Sequence, residues 1–190
     1  MQLHADLNKN ASVDISQLPW QLSPQSGVDR KMIERDGNEV ARATSVVRYA
    51  QASSFPSHRH DKGEEFLVLD GVFSDQTGNF PTGMYVRNPV GSEHAPFTKN
   101  GCRILVKLRQ MHSEDQTFVR IDTHRQQWLK SSTAAVEYLP LHQFGSENVA
   151  LVRILKRGLL WDFDFPHGLE VFLLKGEISD NDETHHEESW

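Results

Sequence analysis

The sequence predicts an all-β protein, a sandwich or a barrel, on three observations. Strand-like runs are short and closely spaced, turn-forming dipeptides separate them, and no long segment carries a helical period. The runs fall, in order, at 43–50, 64–69, 83–87, 103–108, 118–121, 149–155 and 170–174. The separating turns are Asp70-Gly71, Thr77-Gly78, Asn100-Gly101 and Lys175-Gly176. Only the polar stretch 125–135 is a candidate helix.

Each run has its own justification. Residues 43–50 end in Val-Arg-Tyr-Ala and are β-branched. From Glu64 the chain alternates, with Phe66 and Val68 on the face of Glu64, and is read as stopping at Asp70-Gly71. In 83–87, Met84 and Val86 alternate with Tyr85 and Arg87, and either pair could line an interior. The next strand places Cys102, Ile104, Val106 and Leu108 inward and Arg103, Lys107 and Arg109 outward. The run at 118–121 is a short apolar segment.

The last two runs rest on internal repetition. Val47–Ala50 matches Val-Arg-Ile-Leu at 152–155, 105 positions on, and EFLVLDGVFSD at 65–75 faces EVFLLKGEISD at 170–180 at the same spacing. Trp20, Val28 and Gly37 match Trp128, Val136 and Gly145 at a spacing of 108, so a three-residue gap separates the two blocks. A repeat of this length implies a duplicated domain. The expected division is a first domain at 1–109 and a second at 110–190, the second stopping short where Trp190 falls opposite Tyr85.

Bulk properties exclude several classes. A net charge of -6 over 190 residues argues against a nucleic-acid groove. The start, MQLHADLNKN, has no apolar core of a secretory signal, and no apolar run approaches the ~18–20 residues that span a bilayer. One cysteine, Cys102, rules out an internal disulfide, so a cytoplasmic location is expected, without nucleic acid or membrane as partner.

The chemistry sits in HRHDKGEEFLVLDG, residues 58–71. Two residues apart on a strand, His58 and His60 point the same way, and Asp61-Lys62-Gly63 can turn the chain so that Glu64 opens the next strand. Imidazoles and a carboxylate suit a borderline divalent ion. GMYVRNPVGSEH at 83–94 supplies a third histidine, His94, after a turn set by Pro89 and Gly91.

Together these stretches resemble the two motifs of the cupin superfamily. His58, His60, Glu64 and Gly71 meet the first without a gap; Gly83, Pro89, Gly91 and His94 meet the second. The asparagine usual after that histidine is replaced by Thr98, and it is not a metal ligand. The resemblance implies a double-stranded β-helix, or jelly-roll barrel, in two tandem copies with the second incomplete. It further implies a metal held by His58, His60, Glu64 and His94. Zinc and iron are the expected ions, with manganese and nickel also fitting the ligand set. GEEFLVLDGVFSD, GMYVRNPVGSEHAP and NGCRILVKL are similar to the cupin domain of ChrR-type anti-sigma factors, over most of 14–109. The His-x3-Cys-x2-Cys element of their helical zinc domain is absent from this sequence.

In the second copy, Phe163, Phe165 and Leu169 stand where the ligands would be, so that copy is expected to be metal-free, with Glu170 and His167 structural. Cys102 is expected to be a buried small hydrophobe, a redox-sensitive thiol being the other reading. His112, His124 and His142 are expected in solvent, and DNDETHHEESW in an exposed loop.

Two functions follow. The first is a regulatory or sensory metal-binding bicupin with a small-molecule ligand in the barrel and a sigma factor or other regulatory protein as partner. The second is an iron dioxygenase cleaving a small diketone or hydroxyketone. A homodimer is expected by analogy alone.

Overall fold

The computed structural model describes all residues except 133–134, 156–164, 166–167 and 180–182. Its strands are β1 (Gln2–Leu3), β2 (Gln21–Leu22), β3 (Val28–Gly37), β4 (Ala41–Tyr49), β5 (His58–Arg59), β6 (Glu64–Asp75), β7 (Gly78–Pro81), β8 (Met84–Asn88), β9 (Glu93–His94), β10 (Cys102–Leu108), β11 (Val119–Asp122), β12 (Leu129–Lys130), β13 (Val136–Phe144), β14 (Glu147–Ile154), β15 (Glu177–Ser179) and β16 (Thr184–His186). Among the described residues the only helical turns are of the 3-10 type, at Ile15–Gln17 and Thr123–Arg125. The chain is all-β, as expected. The candidate helix at 125–135 is not formed: part of it is β12, and residues 133–134 lie outside the description.

The main sheet runs β1-β3-β4-β10-β6-β8-β11, with β2 on β3 and β7 on β6. Its core is aromatic and aliphatic: Phe66, Phe73, Phe80, Val86, Ile104 and Val106 are all buried together with Cys102. Phe66 and Val68 share the inner face with Glu64, and Cys102, Ile104 and Val106 alternate inward as their spacing requires.

Two strand expectations need correction. The strand from Glu64 does not stop at Asp70-Gly71 but continues to Asp75. Gly71, at φ +74, bends the strand where a Cβ would run into the carbonyl of Gly101. The run at 170–174 is not a strand; Leu173 instead exchanges backbone hydrogen bonds with Ser189 and Glu188. The terminal segment is not a simple exposed loop either. Val13 and Trp190 exchange backbone bonds, and Phe172 and Trp190 pack against buried Ile15, Ile33 and Val46.

β12, β13 and β14 form a separate sheet whose pairings repeat those of β2, β3 and β4. Gln21↔Arg30 has its counterpart in Leu129↔Tyr138, 108 positions on. Val28↔Tyr49 corresponds to Val136↔Ile154. Both hairpins carry a bulge at the same place, between Met32 and Glu34 in one and between Pro140 and His142 in the other. The three-residue gap falls in the hairpin loop: Asp36↔Arg42, followed by the closing pair Gly37↔Ala41, corresponds to Phe144↔Glu147, which closes the second. Buried Leu139 and Leu141 seat this sheet on Tyr85 of β8.

Candidate metal centre

Local strand geometry brings the four expected residues to one point. β5 pairs with β9 so that His58 lies opposite His94. Backbone bonds from His60 N to Ser92 O (2.8 Å) and Gly91 N to His60 O (2.7 Å) extend this ribbon. The three imidazole centroids form a near-equilateral triangle, with sides of 4.8, 4.9 and 4.8 Å. Glu64 Oε2 lies 3.5 Å from His60 Nε2 and 3.4 Å from His94 Nε2. One ligand atom from each of His58, His60, Glu64 and His94 falls within 4.8 Å of the others, a cluster that could hold a metal ion.

Hydrogen bonding turns the imidazoles toward that point. His58 Nδ1 lies 2.8 Å from Pro56 O, a group that can only accept, so in the neutral ring Nδ1 carries the proton and Nε2 the lone pair. His94 Nδ1 is 3.2 Å from the Asp75 carboxylate, which fixes the same tautomer. The Nε2 atoms of His60 and His94 are buried and make no hydrogen bond. Leaving such an atom unsatisfied costs about 1–3 kcal/mol, and a divalent cation between these atoms and Glu64 removes that cost. Burial and the neighbouring His58 push the His60 imidazole down to about 4; burial likewise lowers His94. Both are therefore neutral at pH 7, the form that ligates. The donor set, three imidazoles and one carboxylate, fits the group.

The remaining motif residues are structural. Pro89 is fully buried, and Ser92 N closes a turn on its carbonyl at 3.0 Å. Gly83, at φ +86, meets His124 where a Cβ would sit. Thr98 is buried, donates to Val72 O at 2.8 Å and accepts from Gly101 N at 3.1 Å, so it ties the turn into β10.

The opposite face of the same ladder holds a second polar cluster. Glu64 pairs with Asn88 and Glu65 with Arg87, so alternate pairs face opposite ways. Met84 and Val86 face the main core, whereas Tyr85 and Arg87 face the second sheet. The Arg87 side chain has no exposed surface and binds Glu65 (2.6 Å), Asp115 (2.8 Å) and Glu147 (2.9 Å). Burial opposes its charge, but Glu147 and Glu65 outweigh burial and hold the guanidinium pKa above its ordinary value. Tyr85 donates to Glu65 at 2.6 Å.

His142 belongs here too, which corrects the expectation that it is solvated. Its Nε2 lies 2.7 Å from Asp115, with only 6% of the side chain exposed. The long sequence separations of this cluster gave no local signal. His112 and His124 are exposed, as expected. Cys102 is buried, and burial pushes its thiol up to about 11, so it is not a thiolate at neutral pH. Phe163 and His167 lie outside the described residues; Phe165 and Leu169 are exposed. Glu170 binds Lys107 and accepts from Trp190 Nε1 at 2.7 Å. Among the described residues no helix is long and apolar enough to cross a membrane.

Comparisons with known proteins agree with this architecture. The family described as ChrR Cupin-like domain matches residues 8–112. No curated protein matches the chain. A candidate dioxygenase from Nostoc punctiforme superposes with a TM-score of 0.70 at 15% identity, covering 94% of this chain and 73% of that one. A candidate glyoxylate-induced protein from Pseudomonas aeruginosa gives 0.56 at 12% identity, over 72% and 59%. ChrR of Rhodobacter sphaeroides, solved in complex with SigE, gives 0.42 at 24% identity over 50% of this chain and 51% of that one. The fold is the cupin jelly roll.

Proposed function

This chain belongs to the ChrR cupin-like domain family, and we propose that it is a metal-dependent dioxygenase of small ketones, with iron held by His58, His60, Glu64 and His94. One observation carries the metal reading: two buried Nε2 atoms without hydrogen-bond partners, aimed at a carboxylate 3.4–3.5 Å away. Four protein ligands leave coordination positions open for a ketone oxygen and a second small molecule. When bound, the ion supplies Lewis acidity and, as iron, redox chemistry with dioxygen. The residues do the rest. Asp75 and the Pro56 carbonyl hold two imidazoles in the ligating tautomer, and the aromatic core around Phe73 excludes water behind His94. Likeness along nearly the whole chain to a candidate dioxygenase supports the catalytic class.

The sensory reading is second. It is favoured by the family's description and by the ChrR structure solved with SigE. A sigma-type partner would then read the state of the same centre. The repeated pairings support the proposal that 110–190 is a degenerate second cupin copy that does not bind metal.

The test is elemental analysis of tag-free protein and of the His58→Ala/His60→Ala variant, together with oxygen uptake in the presence of acetylacetone. About one equivalent of iron, lost in the variant, with diketone-dependent uptake supports the dioxygenase. About one equivalent of zinc without uptake favours the sensor. No metal in either protein, even after reconstitution, overturns the metal centre.

A further inference from the structure

Arg120 lies in β11, beyond the 8–112 segment that matches the family, yet its hydrogen bonds lead back to the metal centre. Its Nη2 donates to Asn88 Oδ1 at 2.6 Å. Asn88 is 3% exposed, and its Nδ2 donates to Glu64 Oε2 at 3.0 Å. A carboxamide is nearly symmetric in shape but not in chemistry. Turned one way it gives Glu64 a proton donor; turned the other way it gives Glu64 a lone pair. Arg120 carries donors only, so it accepts just one orientation of the amide, the one that donates to Glu64.

A purely structural role explains these contacts less well. β11 is already fixed to β8 by its own ladder, from Val119↔Arg87 to Asp122↔Met84. Arg120 Nη1 also donates to the carbonyls of Arg87 (2.9 Å) and Val119 (2.8 Å), which aims the fork at Asn88. The guanidinium lies over Phe80 at 5.4 Å and Phe118 at 5.8 Å, a planar seat that an ammonium does not share. Burial works against its charge, while Asp75 and Glu64 support it.

We propose that Arg120 is a positioning residue of the metal centre: it locks the Asn88 amide so that Asn88 donates to Glu64 and holds that carboxylate in its ligating orientation. The proposal rests on the four-residue metal reading. It also means that the centre is not complete within the family-matched segment.

The experiment is Co2+ binding by the full-length chain, with affinity from chelator competition and geometry from the visible d–d spectrum. It uses Arg120→Lys, Asn88→Ala and the double variant, each checked for folding by thermal melt. Each single variant is expected to weaken Co2+ binding by about 10- to 100-fold and alter the spectrum. The double variant is expected to be no weaker than Asn88→Ala alone, because Arg120 acts through Asn88. An Arg120→Lys variant with wild-type affinity and spectrum overturns the inference, and so do losses that multiply in the double variant. Should Arg120→Lys not fold, Asn88→Asp reads the same relay: it keeps an acceptor for Arg120 but gives Glu64 no donor, and wild-type Co2+ binding by it overturns the inference. A wild-type chain that binds no Co2+ overturns the metal reading itself, and this one with it.

Discussion

β2–β3–β4 and β12–β13–β14 share pairing register and bulge position and differ by three residues in the hairpin loop, but their surroundings differ more. β4 is flanked by β10, and beyond it β6 and β8 carry Glu64 and its partner Asn88. Among the described residues β14 pairs only with β13, and its sheet rests on the first through Leu139, Leu141 and the Arg87 cluster. Strand register therefore does not decide function. It is set by backbone pairing and by one bulge, whereas chemistry depends on what the inward positions carry. His58, His60 and Glu64 converge in the first half; Phe165 and Leu169, which a spacing of 105 sets against His60 and Glu64, are apolar and lie exposed.

The largest effect is expected where the halves meet. Arg87→Met leaves Glu65, Asp115 and Glu147 without their shared cation, which should cost about 3–5 kcal/mol. Urea unfolding reads this, and an unchanged midpoint would mean that the two halves are stable independently. Next comes the first half alone. Asp75→Asn removes the charge behind His94, and metal affinity should fall about 10-fold or more with little change in the melt. A titration with competing chelator decides it.

Acid should act on the second half through Asp115. Burial raises this carboxyl's pKa, but bonds from His142, the Thr117 amide and Arg87 outweigh it and leave it below the usual carboxylate range. A folded-state pKa below the unfolded one stabilises above about pH 4 and is lost as pH falls through the folded value. Wild-type stability should therefore drop more steeply below pH 4 than that of Asp115→Asn, each measured by urea midpoint. The smallest effect sharpens the contrast. Leu169→Ala, at an exposed position that a sequence spacing of 105 sets against Glu64, should leave metal stoichiometry unchanged and stability within about 0.5 kcal/mol. A lost equivalent of metal would show that the second half contributes to the centre.

Much of this was legible in the sequence because it is local. His58, His60 and Glu64 lie within one short stretch: alternation puts the two histidines on one side, and the turn at Asp61-Lys62-Gly63 brings Glu64 back to them. β3 was not legible, because VDRKMIERDG has no alternation. Lys31, Glu34 and Arg35 are buried there because the Ile15 carbonyl, Arg42 and the Asn38 carbonyl satisfy them, partners no local pattern announces. β13 hides behind Pro140 and His142 in the same way. The segment 170–174 misleads in the opposite direction: it resembles β6 in its residues, but among the described residues it forms no strand, and Leu173 exchanges backbone bonds with Ser189 and Glu188 instead. Asp75, Asn88 and Arg120 were passed over because a supporting residue is defined by the ligand it touches.

The spacing of the Arg87 cluster also sets an order of birth. Glu147 follows Arg87 by 60 positions, so at about 5–20 residues per second a ribosome separates them by roughly 3–12 s. All four candidate ligands have by then been synthesised, while the guanidinium on the far side of their ladder still lacks its Glu147 partner. His58, His60, Glu64 and His94 are thus all synthesised before Asp115 and Glu147, the carboxylates that close the far side of their ladder.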